Sequence, residues 1–142
     1  MTYATKQDLV DRYTETELAQ LTDEEAGEVI DDTVMNKALA DTDAEIDSYL
    51  QGRYTLPLAS TPPRLNLAAC RIARFHLYKD KPTEHVRQAY DDEIAWLKLV
   101  AAGKISIGPA EEGESEAPPS GNTVVIESAG NVFDRKTSTA FI

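Results

Sequence analysis

The side chains best suited to chemistry in this 142-residue sequence are two histidines, His76 and His85, one cysteine, Cys70, an acidic stretch from Asp23 to Asp31, the triplet Asp91-Asp92-Glu93, and four arginines, Arg53, Arg64, Arg71 and Arg74. Near-neutral acid–base work falls to histidine, and nucleophilic catalysis needs a base within reach of an activated hydroxyl or thiol. Neither histidine stands beside a nucleophile motif. The sequence has no Gly-rich phosphate loop, no His-Glu-x-x-His pair and no Cys or His set at metal-ligand spacing. His76, between Phe75 and Leu77, reads as a helix-packing residue and His85 as a solvated one. The expectation is a protein that is not an enzyme and uses no cofactor or metal.

The acidic stretches need a separate weighing. A calcium loop wants oxygens at alternate positions and a hydrophobic residue at the eighth. Asp23, Glu25, Asp31 and Ile30 meet that register, but Gly27 removes the fifth-position ligand, Glu28 replaces the turn glycine and Val34 stands where a bidentate Glu belongs. The stretch reads as an acidic linker. Asp91-Asp92-Glu93 reads as a polar helix face, because consecutive helical residues point about 100 degrees apart.

Arg64, Arg71 and Arg74 recur at steps of seven and three, which places them on one helix face with Arg53 just before it. Three uses are open to that stripe: contact with DNA phosphates, bidentate pairing with carboxylates of a neighbouring copy, or pairing inside the fold with Asp41, Glu45 or Asp47. Too few bases interleave with aromatics for nucleic-acid coating.

The elements that position these residues are helical. Thr5 with Asp8 resembles a capping box ahead of Leu9, Val10 and Tyr13, and Glu15 to Gln20 suits a further turn. Asp32 or Thr33 caps the next helix, in which Met35, Leu39, Thr42, Ile46, Tyr49 and Leu50 recur at steps of three and four until Gly52 stops it. Arg53 to Leu58 is a connector, since Pro57 lacks an amide donor and biases Leu56 away from the helical region. Pro62 and Pro63 open a helix with Leu65, Ala68 or Ala69, Ile72 and Phe75 inward; Pro82 and Thr83 open another with Val86, Tyr90, Ile94, Leu97, Val100 and Ala101 inward, ended by Gly103. The pattern predicts an all-α, small four-to-five-helix bundle over residues 1–107.

Residues 108–122 are acidic, rich in Gly, Pro and Ser, and empty of large apolar side chains, as expected of a linker. Residues 123–142 read as a C-terminal docking arm with an extended run containing Val124 and Ile126, apolar pieces at Val132, Phe133 and Phe141, and Arg135. An isolated hairpin is marginal, so such an arm calls for a surface to lie on, as a hairpin or by strand addition.

The chain has 25 acidic and 14 basic residues, a net charge of −11. Residues 1–50 hold 14 acids and 3 bases, 51–108 hold 5 and 9, and 109–142 hold 6 and 2. This polarity suits complementary contacts between copies, or simply a solvated acidic face. One cysteine forms no internal bridge, and no window approaches the roughly 20 apolar residues of a membrane span, so a soluble protein of a reducing compartment is expected.

The runs Tyr3-Ala4-Thr5-x-x-Asp8-Leu9, Glu17-Leu18-x-x-Leu21-Thr22-Asp23 and Ala44-Glu45-Ile46-Asp47-Ser48-Tyr49-Leu50-x-Gly52-Arg53-Tyr54-x-Leu56-Pro57-Leu58 resemble the Mu-like phage head-to-tail adaptor family. Ile72-Ala73-Arg74-x-x-Leu77-Tyr78, Pro82-Thr83-Glu84, Tyr90, Trp96-Leu97 and Gly103 extend the likeness to about residue 107, and Val132-Phe133-x-Arg135 resembles the family's C-terminal end more loosely. Members often carry an Asp-Gly-Asp-Gly-like loop where this chain has Asp23 to Asp31, so no ion is carried over. The resemblance implies a structural virion protein: a homo-oligomeric ring, dodecameric in the family, in the neck between portal and tail. Its partners would be the portal protein and a tail terminator or other neck protein, with DNA passing through the lumen unread. It would be made in the bacterial host cytoplasm and sit on no membrane. Arg53, Arg64, Arg71, Arg74, Val124, Ile126, Val132, Phe133, Arg135 and Phe141 are the candidate subunit or portal interface. The alternative is a small acidic binding module or regulator acting on a basic partner.

Overall fold

The computed structural model describes residues 1–108, which form five helices: α1 (Lys6–Arg12), α2 (Glu15–Thr22), α3 (Asp32–Leu50), α4 (Pro63–Tyr78) and α5 (Glu84–Ala101). The fold is all-α, with no strand among the described residues. All but the first residue of the expected linker 108–122, and the whole expected arm 123–142 with Val124, Ile126, Val132, Phe133, Arg135 and Phe141, lie outside the described residues.

Local chemistry sets the helix boundaries. Thr5 and Asp8 form the full reciprocal box: the Thr5 hydroxyl accepts from the Asp8 amide and the Asp8 carboxylate accepts from the Thr5 amide. The expected turn at Glu15 is a complete helix that runs to Thr22, opened by the Thr14 hydroxyl accepting from the Glu17 amide at 3.2 Å. Asp31, rather than Asp32 or Thr33, caps α3 by accepting from the Thr33 and Val34 amides. The reason lies one helix back: the buried Thr22 hydroxyl accepts the Asp31 amide at 2.9 Å and donates to the Leu18 carbonyl at 2.8 Å, which fixes where the chain enters α3.

Gly52 does not stop α3. Gln51 keeps right-handed dihedrals and Gly52 has open space around it, while the Arg53 and Tyr54 amides both close onto the Leu50 carbonyl at 2.9 Å. The Leu56–Pro57 bond in the connector is cis. Pro63 opens α4, and the Thr83 hydroxyl caps α5.

α4 is the central element. Its buried residues, Leu65, Ala68, Ala69, Cys70, Ile72, Ala73 and Leu77, cover more than one stripe, and the alanines let neighbouring backbones approach closely. α3 and α5 pack on α4 and on each other, while α1 and α2 cover its remaining side. Leu9, Leu18, Met35, Ile46, Leu50, Leu97 and Val100 complete a core into which Tyr54, Leu58 and Ile107 also pack. Ala101, expected inward, is exposed at the end of α5. The N-terminal residues are fastened to α3: the Tyr3 amide donates to Asp43 at 2.9 Å and its hydroxyl donates to Asp47. Burial pushes the Asp43 carboxyl and the Tyr3 hydroxyl above their usual ranges, and the Asp47 bond adds to the latter.

Gly103 ends α5 as the sequence predicts, at φ +80, with its amide on the Val100 carbonyl. Arg53 Nη1 donates to the same carbonyl at 3.1 Å, and a Cβ on Gly103 would stand 3.0 Å from that nitrogen. Gly103→Ala therefore strains a left-handed residue and displaces the arginine cap together. The expected loss is about 1–2 kcal/mol in urea unfolding; Arg53→Met should lose less, by removing the cap alone.

Candidate functional site

The arginine stripe is where the chemistry concentrates. Arg64, Arg71 and Arg74 lie on one face of α4, as their spacing requires, and each meets a carboxylate from another helix. Glu93 of α5, fully buried, accepts from Arg64 Nη1 at 2.7 Å through one oxygen and from Arg71 Nη1 at 2.5 Å through the other. The Trp96 ring lies under the Arg64 guanidinium, 4.1 Å from its central carbon. Glu17 of α2 accepts from Arg74 Nη2 at 2.5 Å and from the Tyr78 hydroxyl at 2.9 Å, with Arg74 also lying over Tyr13 at 4.4 Å. Burial opposes the charge on Arg74, but the Glu17 bond together with the charge of Glu17 and the neighbouring Tyr78 and Tyr13 outweighs it, so the guanidinium is held above its usual range.

A third carboxylate completes the set. Glu45 of α3 accepts from the Tyr90 hydroxyl at 2.6 Å and contacts His76 Nε2 at 2.9 Å. Tyr90 stacks on Phe75 with centroids 3.9 Å apart. The His76 bond holds the Glu45 carboxyl below its usual range. His76 thus packs on its helix as expected, but as one member of an α3–α4–α5 bridge. Arg53 stands apart from the stripe, on the Val100 carbonyl and beside the Tyr54 ring.

Two readings of the sequence change here. Asp91-Asp92-Glu93 is not a uniform polar face: Glu93 has no solvent exposure and is the partner of two arginines. The signal was present, since residue 93 falls on the inward stripe Val86, Tyr90, Leu97, Val100 at steps of four, three, four and three. The partners expected for the stripe, Asp41, Glu45 and Asp47, serve otherwise. Glu45 holds His76 and Tyr90, Asp47 holds Tyr3, and Asp41 is exposed.

Beside the stripe, α1, α4 and α5 enclose a cleft of about 480 Å³ whose walls include Arg12, Tyr13, Leu67, Arg71, Arg74 and His85. His85 is exposed there, as expected. The loop from Asp23 to Asp31 is organised by its own amides: Asp23 accepts from Glu25, Ala26 and Glu28, and these bonds keep its carboxyl below the usual range. Glu24, Glu25 and Glu28 face solvent, and Val29 is 71% exposed. Cys70 is buried, and burial raises its thiol to about 11, which keeps it unreactive.

Comparison with known proteins gives two concordant results. A family model described as Bacteriophage Mu, Gp36 matches residues 3–126. The chain is 41% identical over 140 residues to the Mu-like prophage FluMu protein gp36 of Haemophilus influenzae, covering 99% of this chain and 98% of that protein. It is also 41% identical over 138 residues to Gene product J of Escherichia phage Mu, covering 96% of each.

The Glu45 bridge has a pH signature. A carboxyl whose folded pKa is depressed stabilises the fold above its unfolded value, ordinarily 4.5, and loses that contribution as pH falls through the lower folded value. Glu45→Gln is expected to lower the melting temperature at pH 7 and to flatten the acid limb of the stability curve below pH 4.5. An acid limb identical to that of the parent would contradict the bridge.

Proposed function

The chain belongs to the bacteriophage Mu Gp36 family, and from that premise we propose that this phage protein is a structural, non-enzymatic component of the virion, a head-to-tail adaptor. Its copies form a ring between portal and tail, the lumen passes DNA without reading it, and the protein requires no cofactor. Among the described residues, no helix is long and apolar enough to cross a membrane.

The observation that carries this reading is the acidic loop between α2 and α3. It is built by internal bonds from Asp23 and between Thr22 and Asp31, yet it turns Glu24, Glu25, Glu28 and the apolar Val29 outward. A preorganised loop meets a partner without the entropy cost of ordering, and an apolar tip ringed by charge is the composition of a contact element. Ring assembly needs two unlike patches on each copy. Basic side chains exposed on and around α5, Lys81, Arg87, Lys98 and Lys104, supply the opposite sign. The net negative charge suits a lumen that must not hold the duplex, since repulsion acts over a Debye length of about 8 Å.

Phage produced without this protein is expected to accumulate filled heads and separate tails, and the protein should be present in purified virions. Joined infectious particles lacking it would refute the adaptor role, as would its recovery only with a basic host protein. Glu25→Lys with Glu28→Lys is expected to leave the melting temperature within about 2 °C, as exposed charges do, while lowering the yield of joined particles on the order of tenfold. Unchanged joining would remove the loop from the interface.

A further inference from the structure

The cleft between α1, α4 and α5 is basic on an acidic chain. Arg12, Arg71, Arg74 and His85 line it against a single acidic wall residue, Asp92, and Leu67 and Val86 contribute apolar surface. Its cations are incompletely matched. Arg71 shares one carboxylate with Arg64, and Arg12 donates to an amide oxygen, that of Asn66, at 3.1 Å. Arg74 is held by Glu17 through Nη2 at 2.5 Å, while its Nε has no acceptor among the described residues.

The last described residue, Gly108, lies at the end of α4 from which this face starts. Gly108 lies against Pro62, and the Ile107 amide donates to the Tyr54 hydroxyl at 3.4 Å. Measured from Pro62 along the helix at 1.5 Å per residue, Leu67, Arg71 and Arg74 stand about 8, 13 and 18 Å away. The next carboxylates, Glu111, Glu112, Glu114 and Glu116, follow Gly108 by three, four, six and eight residues. At 3.3 Å per extended residue they reach about 10 to 26 Å, which spans the cleft.

We propose that the acidic segment Glu111–Glu116 seats in the cleft of its own chain, its carboxylates facing Arg12, Arg71, Arg74 and His85. Tethering at Gly108 supplies an effective concentration in the millimolar range, so modest ionic contacts suffice. The segment then sets the point from which residues beyond 116 depart. This assignment goes beyond the adaptor reading and holds or fails independently of it.

The test uses the full chain carrying Gln88→Cys, on the cleft wall, with Glu114→Cys, treated with a short bismaleimide at low protein concentration; Cys70 is buried and stays unlabelled. The control pair is Lys37→Cys, exposed on α3, with Glu114→Cys. The proposal expects a monomeric 88–114 product on the order of tenfold above control. That product should fall to the control level when Glu111, Glu112 and Glu116 are all changed to Gln, and in about 1 M salt. Equal yields from both pairs, indifference to the Gln changes, or product linking only separate chains would each overturn it. Light scattering on the same samples reads ring formation: loss of the ring with the product intact counts against the adaptor alone.

Discussion

A carboxylate without solvent exposure, Glu93, held between two guanidiniums, is the constraint on which the arrangement of α4 and α5 depends. Desolvating that charge is costly, and the attraction offsets the cost only if both arginines keep their places. Arg64 and Arg71 are about two-fifths exposed, so the pair is buried on one side and hydrated on the other. Such a bridge adds little net stability over an apolar replacement, but it penalises any rotation or slip of α5 that would leave the carboxylate alone. Glu17 and Glu45 do the same for α2 and α3. Three of the four helices around α4 are thus each keyed to it by one acid.

This keying has a consequence at the surface. The cations of the base-rich middle segment are partly consumed inside the body, whereas many acids of the first 50 residues, including Glu24, Glu25, Glu28 and Asp41, stay outward. Folding therefore sharpens a polarity already present in the sequence. An adaptor between two other assemblies would use such a body well: fixed helices, a preorganised acidic loop, and positive charge in the cleft and on and around α5.

Much of the fold was legible because its determinants are local. The Thr5–Asp8 box, the Pro63 and Thr83 starts, the Gly103 stop and the step-three, step-four apolar rows each act within a few residues. What was misread depends on distant partners. The cap of α3 is Asp31 because a hydroxyl on α2 holds its amide, and Gly52 was idle because Leu50 closes the turn onto Arg53 and Tyr54. The arginine stripe was visible as spacing, but its partners were not, since Glu93 and Glu17 reach it only through tertiary packing. Glu93 could still have been found, because an acid on an inward stripe requires a cation opposite. The cleft was not legible at all: Arg12, Arg71 and His85 come together from three elements, and α1 reaches the other two only through tertiary packing.

The central claim is that Glu93 keys α5 to α4, and urea unfolding of two variants tests it most directly. Glu93→Gln leaves two guanidiniums sharing one amide oxygen. The expected loss is about 2 kcal/mol, below the 3–5 of a fully enclosed pair because both arginines reach water. Replacing all three by apolar residues, Arg64→Met, Arg71→Met and Glu93→Leu, should recover most of that loss, since no charge is then left buried. A single variant within about 0.5 kcal/mol of the parent, or a triple variant less stable than the single one, would contradict the account.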